Sequence, residues 1–156
     1  MKRKQIVVTN PDLITNDWLP KYATSGSAAF ELRAMFDKDK YGEVLSIHAN
    51  ERVLIPSGLK ISVADETIAG VILPRSGYGH KGLICGNTIG LIDSDYLGEL
   101  FISAWNRTDE VINIPYGERI VQMIFVKVER YELDIVNEFN VDSERGENGF
   151  GHSGTK

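Results

Sequence analysis

Short apolar runs broken by Gly, Pro, Asn and Asp dominate the chain. Val53-Leu54-Ile55-Pro56 and Val111-Ile112-Asn113-Ile114-Pro115 each stop at a proline, which cannot donate to a central ladder, so each predicts a strand ending there. Residues 60–63, 67–73, 100–105 and 119–128 also read as strands. The last run places Val121, Met123, Phe125 and Lys127 on one face and Ile120, Gln122, Ile124 and Val126 on the other. Apolar side chains on both faces predict a strand buried on both sides, as between packed layers. Helical signals are weak: residues 16–23 suit a short helical turn but meet Pro20, and residues 76–81 suit another behind Ser76. The pattern predicts an all-β sandwich or barrel-like domain.

Two segments depart from that pattern. Residues 86–98 carry Asp93, Asp95 and Tyr96 between two strand-like stretches, which predicts a hairpin with polar groups at its tip or inner face. Residues 142–156 hold Gly146, Gly149, Gly151 and Gly154, with Phe150 as their only large apolar side chain. Such a segment cannot bury enough surface to order itself. A β domain over residues 1–141 and a flexible C-terminal arm over residues 142–156 are therefore expected.

Composition narrows the class. A length of 156 residues makes one domain with a single core. The 22 acidic and 17 basic side chains give a net charge of −5, which argues against a protein that coats nucleic acid or an anionic membrane. A local basic pocket is compatible with that total. The lone Cys85 excludes an intramolecular disulfide, and His48, His80 and His152 lack the paired Cys/His spacing of a structural zinc site. No apolar run approaches the ~18 residues of a membrane span. The basic start is followed only by Ile6, Val7 and Val8, too few for a signal peptide. A cytoplasmic protein with neither a nucleic-acid nor a membrane partner is expected.

Three strings carry candidate chemistry. Pro74-Arg75-Ser76-Gly77-Tyr78-Gly79 joins a strand to a helix start, where free N–H groups and a hydroxyl can hold phosphate oxygens while Arg75 adds charge. The same string also suits a turn capped by Ser76. It is not a P-loop, because Gly-x-x-x-x-Gly-Lys-Ser/Thr is missing. In Gly90-Leu91-Ile92-Asp93-Ser94-Asp95-Tyr96, Asp93 follows an apolar run; a partly buried carboxylate beside a water can serve as a general base. Asp93 and Asp95 also suit a turn, and Tyr96 suits either cross-strand packing or a flat platform for a sugar or base. In the arm, Arg145 and Ser153 can hold phosphate while Phe150 stacks on a base and the glycines let the backbone close. His152 beside Ser153 is no hydrolase dyad, since adjacent residues cannot present base to nucleophile.

Five strings stand in order: Ser27-Ala28-Ala29-Phe30-Glu31-Leu32-Arg33-Ala34; Pro74-Arg75-Ser76-Gly77; Gly86-Asn87 through Gly90 to Glu99; Gly117-Glu118-Arg119-Ile120-Val121-Gln122-Met123-Ile124; and Arg145-Gly146 through Gly149 to Gly154. Together they resemble the motif set of the homotrimeric deoxyuridine triphosphatase (dUTPase) family, over residues 27–154. The resemblance implies a β-sandwich, jelly-roll-like subunit that forms a homotrimer with its active sites at subunit interfaces. It also implies hydrolysis of dUTP to dUMP and pyrophosphate with Mg²⁺ on the triphosphate. Carried onto this chain, it makes Asp93 the residue that orients and deprotonates the attacking water. Asn87 and the hairpin backbone would bind the uracil edge, and Tyr96 would lie against the deoxyribose. Ser76, Gly77 and Arg75 would hold phosphate, and Gln122 would contact the α-phosphate region. Phe150 would cover the uracil while Arg145, His152, Ser153 and Gly154 gather the outer phosphates.

The first string departs from the family's Ala-Gly-x-Asp-Leu by carrying Ala29 and Glu31. In the family that carboxylate organises metal-bound water; Glu31 reaches one methylene further, so altered metal dependence is expected. Two competing readings are a dCTP deaminase of the same fold and a regulatory binding protein that uses nucleotide as a switch.

Overall fold

Among the described residues every strand finds its partner by antiparallel pairing. The computed structural model describes residues 3–150 and 152–154. One four-stranded sheet is ordered β1 (Gln5–Val8), β4 (Arg52–Ser62), β8 (Glu99–Asn106), β6 (Leu83–Cys85). The second is ordered β2 (Phe30–Arg33), β10 (Arg119–Lys127), β5 (Ile68–Pro74), β7 (Gly90–Ile92). A ribbon of β3 (Val44–Ile47) and β9 (Ile112–Pro115) completes the strands. Three short helices, α1 (Asp12–Thr15), α2 (Lys38–Tyr41) and α3 (Ser76–His80), sit in the connections.

The sheets share one buried cluster. Leu32, Ile72 and Met123 come from the second sheet, Ile55, Ile61 and Ile102 from the first, and Leu45 and Ile114 from the ribbon. Burial of side chains this size contributes roughly 1.5–3 kcal/mol each. The buried Asn106 is satisfied by geometry: its Nδ2 donates to Ile47 O (2.9 Å) and Glu110 O (2.6 Å), and its Oδ1 accepts from Thr108 N (3.0 Å) and Thr108 Oγ1 (2.8 Å). This follows the rule that buried amides are kept only when paired.

The sandwich expectation holds, with corrections of detail. β9 ends at Pro115 as expected, but β4 runs through Pro56. Pro56 O accepts from Met35 N at 2.9 Å, so the missing donor points away from β8. The β4–β8 register then shifts between Pro56 and Lys60, where Gly58 (φ +75°) takes a conformation that side chains disfavour. β10 was expected to be buried on both faces. Met123 and Val121 are buried, whereas Gln122, Ile124 and Val126 on the opposite face are only half-buried by this chain. The helical turn expected at residues 16–23 lies earlier, at Asp12–Thr15, and Asp17 (φ 54°) ends it. α3 matches its expected span, yet Arg75 occupies the cap position and makes no side-chain capping bond. Among the described residues no helix or strand follows Lys127, and none of the helices is long and apolar enough to cross a membrane.

Candidate active site

β10 brings three of the sequence motifs to one sheet face. In its register Gln122 lies opposite Glu31 of β2 on one side and Leu73 of β5 on the other. Beside this row, Glu31 bridges two guanidinium groups. Its Oε1 is 2.8 Å from Arg75 Nε and its Oε2 is 2.6 Å from Arg119 Nη1. Arg75 Nη1 also donates to Arg119 O at 2.7 Å, and Gln122 Nε2 donates to Pro74 O at 3.1 Å. Glu31, Leu73 and Gln122 line a cavity of about 410 Å³ together with Lys21, Ser27 and Ala29. Ser76 and Gly77 are exposed at the start of α3, where the first N–H groups have no partner within the helix.

Arg119 and Arg33 line a second, smaller hollow of about 70 Å³ that shares Glu31 and Lys21 with the first, and sequence reasoning had not singled out either. Their signal is positional: they face each other across the β2–β10 pair. Arg33 Nη1 donates to Gly117 O (2.7 Å), its Nε donates to Trp18 O (3.3 Å), and its guanidinium lies 5.0 Å from the Trp18 ring centre. Burial, then the neighbouring Arg119, lowers the Arg33 pKa. Gly117 (φ +76°) permits the contact, since a Cβ there would come within 2.2 Å of Trp18 Cζ3. Burial, then Glu118, raises the Tyr78 pKa above the ordinary phenol value. Arg33, Arg75 and Arg119 gather here with the carboxylates of Glu31 and Glu118, a small local basic excess in a chain of net charge −5.

The third motif lies elsewhere. Ile92 pairs with Gly70, and Gly90 with Ile72. Asp93 therefore leaves β7 at the far end of β5 from Pro74, about 17 Å away at the rise of a strand. Asp93 is exposed, against the expectation of a partly buried carboxylate, because this chain places no apolar layer over the turn that follows β7. Asn87 is exposed in a tight turn, with Thr88 N donating to Cys85 O (2.9 Å) and Ile89 N to Asn87 O (2.7 Å). Tyr96 is 41% exposed, its Oη donating to Glu99 O at 2.8 Å.

In the arm the expected residues gather with one another. Arg145 curls back on the chain, its Nε donating to Asn148 O (2.7 Å) and its Nη2 to Gly149 O (3.2 Å). Arg145, Phe150, His152 and Ser153 line a shallow hollow beside Gly149, and Phe150 is fully exposed. Gly154 (φ 74°) lies just beyond, and Gly151 is outside the described residues.

Among the described residues no three His, Cys, Asp or Glu side chains form a metal cluster. Glu31 also spends both carboxylate oxygens on arginines. This donor set suits a hard cation that arrives on a polyphosphate and keeps most of its waters, as Mg²⁺ does. It does not suit a cation caged by the chain.

A β-sandwich with a guanidinium pocket on one sheet and an exposed carboxylate turn on its edge defines a nucleotide-handling domain. The dUTPase family model matches residues 15–154. The chain is 49% identical over 155 residues to a deoxyuridine 5'-triphosphate nucleotidohydrolase of Pectobacterium carotovorum, covering 99% of this chain and 98% of that protein. It is 53% identical over 139 residues to the enzyme of that name from Shewanella baltica, covering 88% of each. Among solved structures, the Staphylococcus bacteriophage 80alpha dUTPase bound to dUPNHPP superposes with a TM-score of 0.82 at 25% identity, over 99% of this chain and 100% of that one. The chain belongs to the dUTPase family.

Proposed function

We infer that the chain is a dUTP diphosphatase. It hydrolyses dUTP to dUMP and pyrophosphate by in-line attack of water on the α-phosphorus, which limits uracil incorporation into DNA and supplies dUMP. The observation that carries this chemistry is the Arg75–Glu31–Arg119 pocket beside the exposed start of α3, in a chain of net charge −5. The substrate brings roughly four negative charges, which such a pocket meets with aimed guanidinium and N–H donors.

The roles are those that the family resemblance implies for these residues. Asp93 accepts the water's proton as the new O–P bond forms and the bond to pyrophosphate breaks. Asn87 and the hairpin backbone bind the uracil edge, where reversed donors and acceptors penalise cytosine. The Tyr96 ring lies against the deoxyribose. Arg75, Ser76 and Gly77 hold phosphate, with Gln122 at the α-phosphate. Phe150 closes over the uracil, and Arg145, His152, Ser153 and Gly154 gather the outer phosphates. A Mg²⁺ ion on the triphosphate would supply neutralisation of phosphate charge, and Glu31 is the residue that would hold it, through water.

Asp93 and Arg75 lie at opposite ends of β5, so one chain cannot present both to one phosphorus. A homotrimer resolves this, with the pocket of one copy meeting the Asp93 hairpin of another. Half-covered Ile124 and Val126, beside Gln122 on the same face, offer apolar surface for that contact. Neighbouring copies and bound substrate then supply the desolvation that a single chain leaves Asp93 without. One buried free thiol, Cys85, suits a cytoplasmic enzyme.

The test is pyrophosphate release from dUTP against dCTP, dTTP and UTP, with and without Mg²⁺. Release from dUTP alone supports the reading. Ammonia release from dCTP without pyrophosphate from dUTP would assign the chain to the deaminases of this fold.

A further inference from the structure

Tyr96 and Gly98 stand at the entrance to β8, and they touch. The Tyr96 ring folds back along the chain so that its Oη donates to Glu99 O at 2.8 Å. A Cβ on Gly98 would lie 2.4 Å from Tyr96 Oη, 2.6 Å from Cζ and 3.0 Å from Cε2. Real Cβ atoms do not approach so closely, so any side chain at position 98 must displace the ring. Among the described residues Gly98 is not one of the glycines with positive φ. Backbone conformation therefore does not demand glycine here; the space beneath the ring does.

The support under that ring is fixed in turn. Glu99 pairs with Lys60 across the β4–β8 ladder, and its Oε1 accepts from Gly58 N at 2.9 Å, in the irregular stretch of β4. At the other end Tyr96 N donates to Asp93 O (3.2 Å), and Ala64 N holds the turn through Ser94 O (3.1 Å). An exposed tyrosine is thus held at its backbone and at its hydroxyl tip. Exposed side chains are ordinarily free to change rotamer, and restraint at both ends makes this ring a fixed wall.

We propose that Gly98 determines sugar specificity as a positioning residue, its bare Cα leaving the gap that seats the Tyr96 ring on the Glu99 carbonyl. The inference rests on the functional reading above, in which that ring lies against the deoxyribose. In that reading the ring is the wall that a 2′-hydroxyl would have to displace. Alanine at position 98 would have to push it away by about 1 Å to restore ordinary contact, which unseats the hydroxyl from the Glu99 carbonyl and frees the wall to give way. Rejection of a substrate that merely adds a hydroxyl is worth about 100-fold at most, so it is readily lost.

The experiment measures kcat/KM for dUTP and UTP in wild type, G98A, Y96F, Y96A and the Y96A/G98A double variant, with melting temperatures for each. G98A is expected to raise the UTP/dUTP ratio at least tenfold. Y96F, which keeps the ring but loses its tie to Glu99, moves the ratio the same way by less. In the Y96A background G98A adds nothing further, because there is no ring to displace; contacting residues are non-additive in this way. Equal losses on both substrates in G98A, or an undiminished ratio change in the Y96A background, would overturn the proposal. If G98A does not fold, the ratio in Y96F decides alone: an unchanged ratio overturns it. Wild type that leaves dUTP intact would instead defeat the functional reading, a distinct result.

Discussion

Glu31 Oε1 lies 2.8 Å from Arg75 Nε, an ion pair that joins the first and second motifs across the intervening strand β10. Arg119 takes the other oxygen at 2.6 Å. A single carboxylate thereby sets the direction of two guanidinium groups before any phosphate arrives. Such pre-setting lowers the ordering cost that binding would otherwise carry.

The Glu31→Gln variant keeps the shape and loses the charge. It is expected to lower kcat/KM for dUTP by about tenfold, the loss of one charge-assisted hydrogen bond's worth of positioning. All three side chains are partly exposed, so the melting temperature should move by less than about 3 °C. Glu31→Asp is one methylene too short to span both arginines and should fall in the same range. Steady-state kinetics with a thermal melt check this; an unaltered kcat/KM would show that the arginines orient themselves.

The arm offers a separation of activity from stability. Phe150 is fully exposed and the polar contacts of Arg145 stay within its own turn, so the sandwich gains nothing from the described residues beyond Glu144. Truncation after Glu144 should lower kcat/KM by more than about 100-fold, because groups that close over substrate act only on the bound state. The melting temperature should stay within about 2 °C of the full chain. Equal activity in the two forms would remove Arg145 and Phe150 from the site.

How much of this was legible beforehand depended on element length. The apolar runs behind β5, β8, β9 and β10 were plain, because seven or more residues of β-branched pattern, or a terminal Pro115, leave few alternatives. β1, β2, β3 and β6 escaped notice. Each has only three or four residues and is a strand because a longer neighbour pairs with it, as Phe30–Arg33 pairs with β10. Pro56 misled because the sequence does not say which side of a strand lacks a donor. In the site, the motif strings pointed to Glu31, Arg75 and Gln122, which β10 brings together. Arg119 and Gly98 were hidden, since one depends on register and the other on a ring folding back over the chain. The exposure of Asp93 was also beyond the sequence, because an apolar run before a carboxylate does not say whether another layer of the chain covers the turn that follows.

The central claim is that Asp93 of one copy serves the pocket of another, and subunit mixing tests it most directly. Asp93→Ala and Arg75→Ala are each expected to be nearly inactive as homotrimers, with Asp93→Ala still binding dUTP. When equal amounts are unfolded together and reassembled, every mixed trimer contains one interface where an intact Arg75 meets an intact Asp93. Random assembly then restores about one quarter of wild-type turnover. A mixture no more active than its parents would place the whole site within one chain and contradict the account.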